Sequence, residues 1–283
     1  HLINQQTQTM RKTLFSGIAA CLLATAATAA EQSPSVIWTV GQADRSASEF
    51  ALAPDRFRDF LANDFGYEDK YFLVGHSVPA ADFPYVLPGP ADTWGGTWPT
   101  SGWRTHQVNI LFGLKEIPSD GTCTLVVDLL DYAKNFLPLV KVSVNTQDAK
   151  FQLDAPGLSV ADQRKPNQME KIVDTLSITG NLAKATPRRL EIPIRPGVLK
   201  AGGNEVTITV LEGSWILFDR VSLEGPAGTN VEQPQQLFIR NIEAAPYELA
   251  DGKRRVQPLL VDLEWLEGAP ALSVELDGKE ILN

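Results

Sequence analysis

The sequence predicts an all-β protein built as a two-layer sandwich. Three features predict it: strand-length apolar runs separated by Gly, Pro, Asn and Asp, period-two alternation inside those runs, and a single stretch with helical spacing. In order, the runs are Val36 to Val40, Tyr71 to Val74, Val108 to Phe112, Thr124 to Leu129, Leu139 to Val144, Arg189 to Ile194, Glu205 to Leu211 and Trp215 to Leu223. Val140, Val142 and Val144 alternate with Lys141 and Ser143, and Val206, Ile208 and Val210 alternate with Thr207, Thr209 and Leu211, as strands with one packed and one wet face should. Pro54 to Asn63 is the helical exception, with Phe57, Phe60 and Leu61 at i, i+3 and i+4 behind a proline suited to a first turn.

Pro226 to Pro234 is rich in turn residues and sets the expected boundary of a domain spanning 31–226. Beyond it, Leu237 to Ile242, Leu259 to Trp265 and Leu272 to Leu276 read as strands, and Asp277-Gly278 as a hairpin turn into Lys279 to Leu282. An immunoglobulin-like sandwich takes about seven strands. The segment 231–283 is therefore expected either as the partial start of a second β-sandwich domain, in a chain that continues further, or as a small β extension packed on the first.

Residues 1–30 read as an upstream piece plus a secretory signal peptide. Met10-Arg11-Lys12 is basic, Leu14 to Leu23 is apolar but too short to span a bilayer, and Ala27-Thr28-Ala29 offers a small-residue cleavage site. Export to a periplasm or the extracellular space follows, with no transmembrane segment in the mature chain. The alternative is a lipobox ending at Cys21, which would tether the protein to a membrane through a lipid. Cleavage leaves Cys123 as the lone cysteine, so neither an intramolecular disulfide nor a cysteine zinc site is available.

The chain carries net charge −9. Its basic clusters, Arg188-Arg189 and Lys253-Arg254-Arg255, are flanked or interrupted by acids, so a nucleic-acid partner is excluded. His76 stands in Gly75-His76-Ser77, which lacks the framing of a nucleophile elbow. Glu49, Asp64, Glu68, Asp69 and Asp92 contain no spacing that singles out a glycosidase pair. No complete catalytic constellation is visible, which leaves the enzyme question open.

Phe83 to His106 (FPYVLPGPADTWGGTWPTSGWRTH) is the most informative stretch, with half of the tryptophans among four prolines and four glycines. Sugars present C–H faces that stack on aromatic rings and hydroxyls that take planar polar partners. Trp94, Trp98, Asp92, Arg104, His106 and Tyr85 supply both kinds of contact and are the candidate carbohydrate-binding residues. Trp103 and Trp215 read as core instead. Asp219 reads as a turn carboxylate or one adjacent to a structural calcium; no metal and no cofactor is assigned.

Gly202-Gly203-Asn204 leading into the alternating strand Glu205 to Val210, then Trp215 to Phe218 ending Asp219-Arg220-Val221-Ser222-Leu223-Glu224, resembles the closing strands of carbohydrate-binding jelly rolls. Trp103 through Asn145 is similar to their central strands. Over about 36–225 the chain is similar to the third, non-catalytic domain of rhamnogalacturonan lyases of polysaccharide lyase family 4. The resemblance implies a galactose-binding-like jelly-roll β-sandwich and a polysaccharide or oligosaccharide partner. It implies no lyase activity, since the catalytic domain of those lyases precedes this one and a leader stands there instead. The expected role is a non-catalytic N-terminal module of an exported polysaccharide-degrading enzyme, a glycoside hydrolase or polysaccharide lyase, whose catalytic domain lies downstream in the same polypeptide. The alternative is a fragment of such an enzyme in which the module is a structural spacer.

Overall fold

The computed structural model describes residues 35–97, 104–118, 122–154, 176–234, 236–268, 273–276 and 279–282, all within one compact unit, Ser33–Asn283. It is nearly all β, with no helix of seven or more residues among the described ones. The strands are β1 (Ser35–Gly41), β2 (Tyr71–Leu73), β3 (Val86–Leu87), β4 (Gln107–Leu114), β5 (Thr124–Tyr132), β6 (Leu139–Val144), β7 (Gln147–Gln152), β8 (Arg188–Pro193), β9 (Gly202–Glu212), β10 (Ile216–Gly225) and β11 (Val231–Glu232). Six shorter or peripheral strands follow: β12 (Leu237–Ala244), β13 (Leu249–Asp251), β14 (Arg254–Val256), β15 (Leu259–Trp265), β16 (Val274–Leu276) and β17 (Lys279–Leu282).

Two sheets make the expected sandwich. One runs β1-β10-β5-β8 with β3 added to β10; the other runs β11-β4-β9-β6-β7 with β2 parallel to β4. Alternation explains the packing. Val108, Ile110 and Phe112 of β4, Val140, Val142 and Val144 of β6, and Val206, Ile208 and Val210 of β9 enter one core with Leu125, Val127 and Leu129 of β5. On β10 the inward set changes phase, from Ile216 and Phe218 to Val221 and Leu223. A bulge causes this: Phe218 faces Leu129 and Arg220 faces Asp128, so Asp219 is the extra residue opposite neither. Trp215 is core, as expected, whereas Trp103 lies outside the described residues.

A buried ion pair closes the end of β5. Lys134 Nζ sits 2.7 Å from Asp131 Oδ1 and donates to the Tyr132 carbonyl at 2.8 Å. Ser177 Oγ donates to Asp131 Oδ2 at 2.6 Å and the Thr186 amide to Oδ1 at 3.0 Å, which ties residues 177–186 to the sheet.

The expected helix over Pro54 to Asn63 is two 3₁₀ turns, Phe57–Asp59 and Leu61–Asn63. The amides of Phe60 and Asp64 bond three residues back, and Asp64, left-handed at φ 56°, ends the second turn. A three-residue spacing eclipses side chains in a 3₁₀ turn, so Phe57 and Phe60 reach the core together without a full helix. Two hairpins escaped the apolar pattern. β7 is polar and returns from β6 through Asn145, whose φ of 47° suits asparagine, while β13 and β14 flank Gly252 at φ 61°. In the C-terminal segment β12 pairs with β15 and β16 with β17, while β11 pairs with β4 of the sandwich.

Candidate functional site

The predicted sugar-contacting residues separate into interior and rim. Tyr85 is interior: 1 % exposed, its hydroxyl donates to the Ile178 carbonyl at 2.6 Å, and burial pushes its pKa up. Its ring presents no face to a ligand, because the backbone around it joins Ala51 to Phe218 and carries it inward. Asp92 is also buried. Its Oδ2 accepts the Gly89 amide at 2.9 Å and its Oδ1 the Ser214 hydroxyl at 2.6 Å, fastening the loop after β3 to the β9–β10 turn. A carboxylate so engaged organises the loop; it does not reach out to a sugar.

Trp94 lies in a 3₁₀ turn, Thr93–Gly95, and is half-buried, its ring edge-on to Phe57 at 5.0 Å and to Phe60 at 6.0 Å between centroids. Such T-shaped contacts stabilise the plug at this end of the sandwich. Trp98 lies outside the described residues.

Arg104 and His106 open β4. Between them Thr105 donates from both its amide and hydroxyl to the Gly66 carbonyl, at 3.0 and 2.8 Å, which brings Arg104 beside Tyr67. The guanidinium carbon lies 3.3 Å from the centroid of the Tyr67 ring, and Arg104 Nε and Nη1 are turned from solvent with no hydrogen bond among the described residues. His106 is buried and left-handed at φ 48°; its carbonyl accepts the Val210 amide while Nε2 has no partner among the described residues. Burial lowers its pKa and keeps the ring neutral at pH 7. The structure thus brings two nitrogen-bearing side chains with uncommitted atoms to one rim, next to a half-exposed Tyr67 that the sequence analysis missed. The signal was Phe65-Gly66-Tyr67, an aromatic pair around a glycine immediately before Glu68 and Asp69.

Asp219, at the bulge, accepts the Arg45 amide at 3.0 Å. Burial, followed by the nearby Asp44, Asp128 and Glu49, raises its pKa to about 6 against that hydrogen bond. Among the described residues, no three His, Cys, Asp or Glu side chains converge as metal ligands.

The fold is a two-sheet β-sandwich with polar and aromatic side chains at one rim. The profile of the CBM-like family described as polysaccharide lyase family 4, domain III, matches residues 36–223, nearly the whole of β1 to β10, and the chain belongs to that family. Among solved structures it is similar to a family GH115 4-O-methyl-α-glucuronidase with specificity for decorated arabinogalactans, at 18% identity and a TM-score of 0.23. The likeness covers 41% of this chain and only 13% of that one. No curated protein matches the chain. The chain is a carbohydrate-active enzyme module, and among the described residues no helix is long and apolar enough to cross a membrane.

Proposed function

We propose that this chain is a glycan-binding, non-catalytic module of an exported polysaccharide-degrading enzyme. The observation that carries the reading is the family match, whose limits coincide with the sandwich. Its rim supports a contact role for Arg104 and Tyr67, both part-exposed, while His106 is buried behind them. Trp94 completes the proposed rim, Trp98 stays a candidate contact on its sequence alone, and Tyr85 and Asp92 act by holding the rim's shape. Affinity electrophoresis of residues 31–283 through gels containing polysaccharides tests it. Retardation by at least one glycan is expected, and migration unchanged by every glycan would refute it. Export rests on Met10 to Ala30 and predicts a mature N-terminus near Glu31, read by N-terminal sequencing of protein recovered from the periplasm or medium.

A second reading, a spacer within a larger enzyme, draws on the C-terminal segment. Leu259, Leu260, Val261 and Trp265 lie exposed on β15, the kind of surface another domain covers. It predicts that Trp265→Ser weakens association with the catalytic part of the same polypeptide and leaves glycan retardation unchanged.

A further inference from the structure

The outer face of the β4-β9-β6 layer is polar in a particular way. Cross-strand register places Tyr71, Asn109, Thr207, Ser143 and Asp148 in one row over β2, β4, β9, β6 and β7. Hydroxyls and an amide fill the centre of this row, where a merely solvated face would carry long charged side chains. Part of the face is roofed by β12, because Phe238 buries itself against Leu73 and Leu111. Gly203 permits the approach: a Cβ there would collide with the Ile239 carbonyl oxygen. Arg240 then anchors the wall, donating to Glu205 at 3.1 Å and Glu264 at 3.0 Å.

Where the roof stops, floor and wall enclose an open cavity of about 360 Å³ lined by Ser143, Thr146, Thr207, Arg240, Asn241 and Asp262. It adjoins a second of about 410 Å³, with which it shares Lys200, Arg240 and Asn241, and which ends on the apolar side chains of Ile239 and Ile242. Both volumes fall in the range of small-molecule sites, ~300–1,000 Å³.

Which groups are already spent decides what could bind. Asn145 and Asn204 bond each other at 2.9 Å and the local backbone, so they build the floor. The hydroxyls of Ser143 and Thr146 make no hydrogen bond among the described residues. Asn241 gives its oxygen to Lys200 Nζ at 3.1 Å and keeps its amide protons, and Asp262 stands 3.8 Å from Arg240 Nε, beyond hydrogen-bond range. The two cavities are lined by three carboxylates, Glu205, Glu232 and Asp262, against two cations, Lys200 and Arg240, so the net charge of the groove disfavours an acidic ligand. A carboxylate with free lone pairs, an amide donor and hydroxyls on one side, with aliphatic carbon at the end, match the alternating polar and C–H surfaces of an uncharged sugar.

We propose that this groove, between the outer face of β6–β9 and β12, is a binding subsite for neutral sugar units of a glycan chain, separate from the Arg104 rim. The proposal rests on the glycan-binding reading of the module.

The test is affinity electrophoresis and titration calorimetry of residues 31–283 with neutral glycans (galactan, arabinan) and an acidic one (polygalacturonate). The wild type is compared with the double variant Asn241→Ala/Asp262→Ala, with Ser143→Trp, which fills the groove from its floor, and with Arg104→Ala, each checked by thermal melting. The expected result is binding of a neutral glycan, weakened at least tenfold by the double variant or by Ser143→Trp in protein that melts like wild type. Neutral-glycan binding within twofold of wild type in both groove variants, or lost only in Arg104→Ala, overturns the groove and leaves the module reading standing. Binding confined to the acidic glycan overturns the neutral assignment. Absence of binding to any glycan overturns the module reading and the groove with it.

Discussion

The sandwich and the C-terminal segment, joined by a few residues, solve the burial problem differently. Between β1 and β10 the apolar side chains close on one another, and Val40, Phe112, Val142, Ile208 and Phe218 are wholly buried. From β12 to β15 apolar residues make up as large a share of the strands, yet only Phe238 and Ala245 are buried, and Ile242, Leu259 and Trp265 stand more than half exposed. The difference is one of layers: the inner face of each sandwich strand has a second sheet to meet, whereas the pair β12–β15 meets the sandwich through one side chain cluster and an ion-pair anchor. A two-stranded ribbon is marginal alone. The C-terminal segment therefore borrows its stability from the outer face of β4 and β9.

The largest expected effect comes from the buried pair. Asp131→Ala strands Lys134 without its carboxylate and removes the tie to Ser177 and Thr186, at a cost of about 3–5 kcal/mol in urea unfolding; a loss under 1 kcal/mol would mean that water replaces the carboxylate. Phe112→Ala, from the centre of the core, should cost a similar ~3–5 kcal/mol and lower the single global transition. Phe238→Ala sharpens the contrast. It should strip hydrogen-exchange protection from 237–265 while the sandwich amides keep theirs, by about 1–3 kcal/mol of local stability; a matching global loss would show that the two regions unfold as one.

Asp219 gives a smaller, pH-dependent effect. Its folded pKa of about 6 lies above the unfolded carboxylate value, so the folded state holds the proton more tightly. Its contribution is favourable below about pH 4 and fades as pH rises through 6. His106 works in the opposite sense, since its lowered pKa penalises the fold as pH falls below the unfolded value of about 6.5. Asp219→Asn isolates the first: the difference in stability between variant and wild type should grow between pH 4 and 7, by on the order of 2 kcal/mol in the variant's favour. A flat difference would contradict the assignment. At the bottom of the scale, Trp265→Ser should change unfolding free energy by no more than about 0.5 kcal/mol, because the indole is 54 % exposed.

The eight apolar runs all became strands because alternation reports burial directly, and the family resemblance was legible in the turn and strand-end motifs between Gly202 and Glu224. The rim was read less well. Composition marked Phe83 to His106 as unusual, but inward or outward placement of Tyr85, Asp92 and Trp94 depends on partners 93 and 122 residues distant for the first two, Ile178 and Ser214, and on Phe57 and Phe60 for the third. The groove left no trace in any one segment, because its floor comes from β6 and β9 and its wall from β12 and β15.

By itself the amino-acid order determined the eight main strands of the sandwich and which face of each is apolar, since these follow from local spacing, and its motifs carried the family resemblance. Only the tertiary structure decided which polar groups are consumed in holding the fold and which remain uncommitted at a surface. That depends on distances between segments far apart in the chain, as when Arg240 meets Glu205 and Asn145 meets Asn204, and no local pattern encodes it.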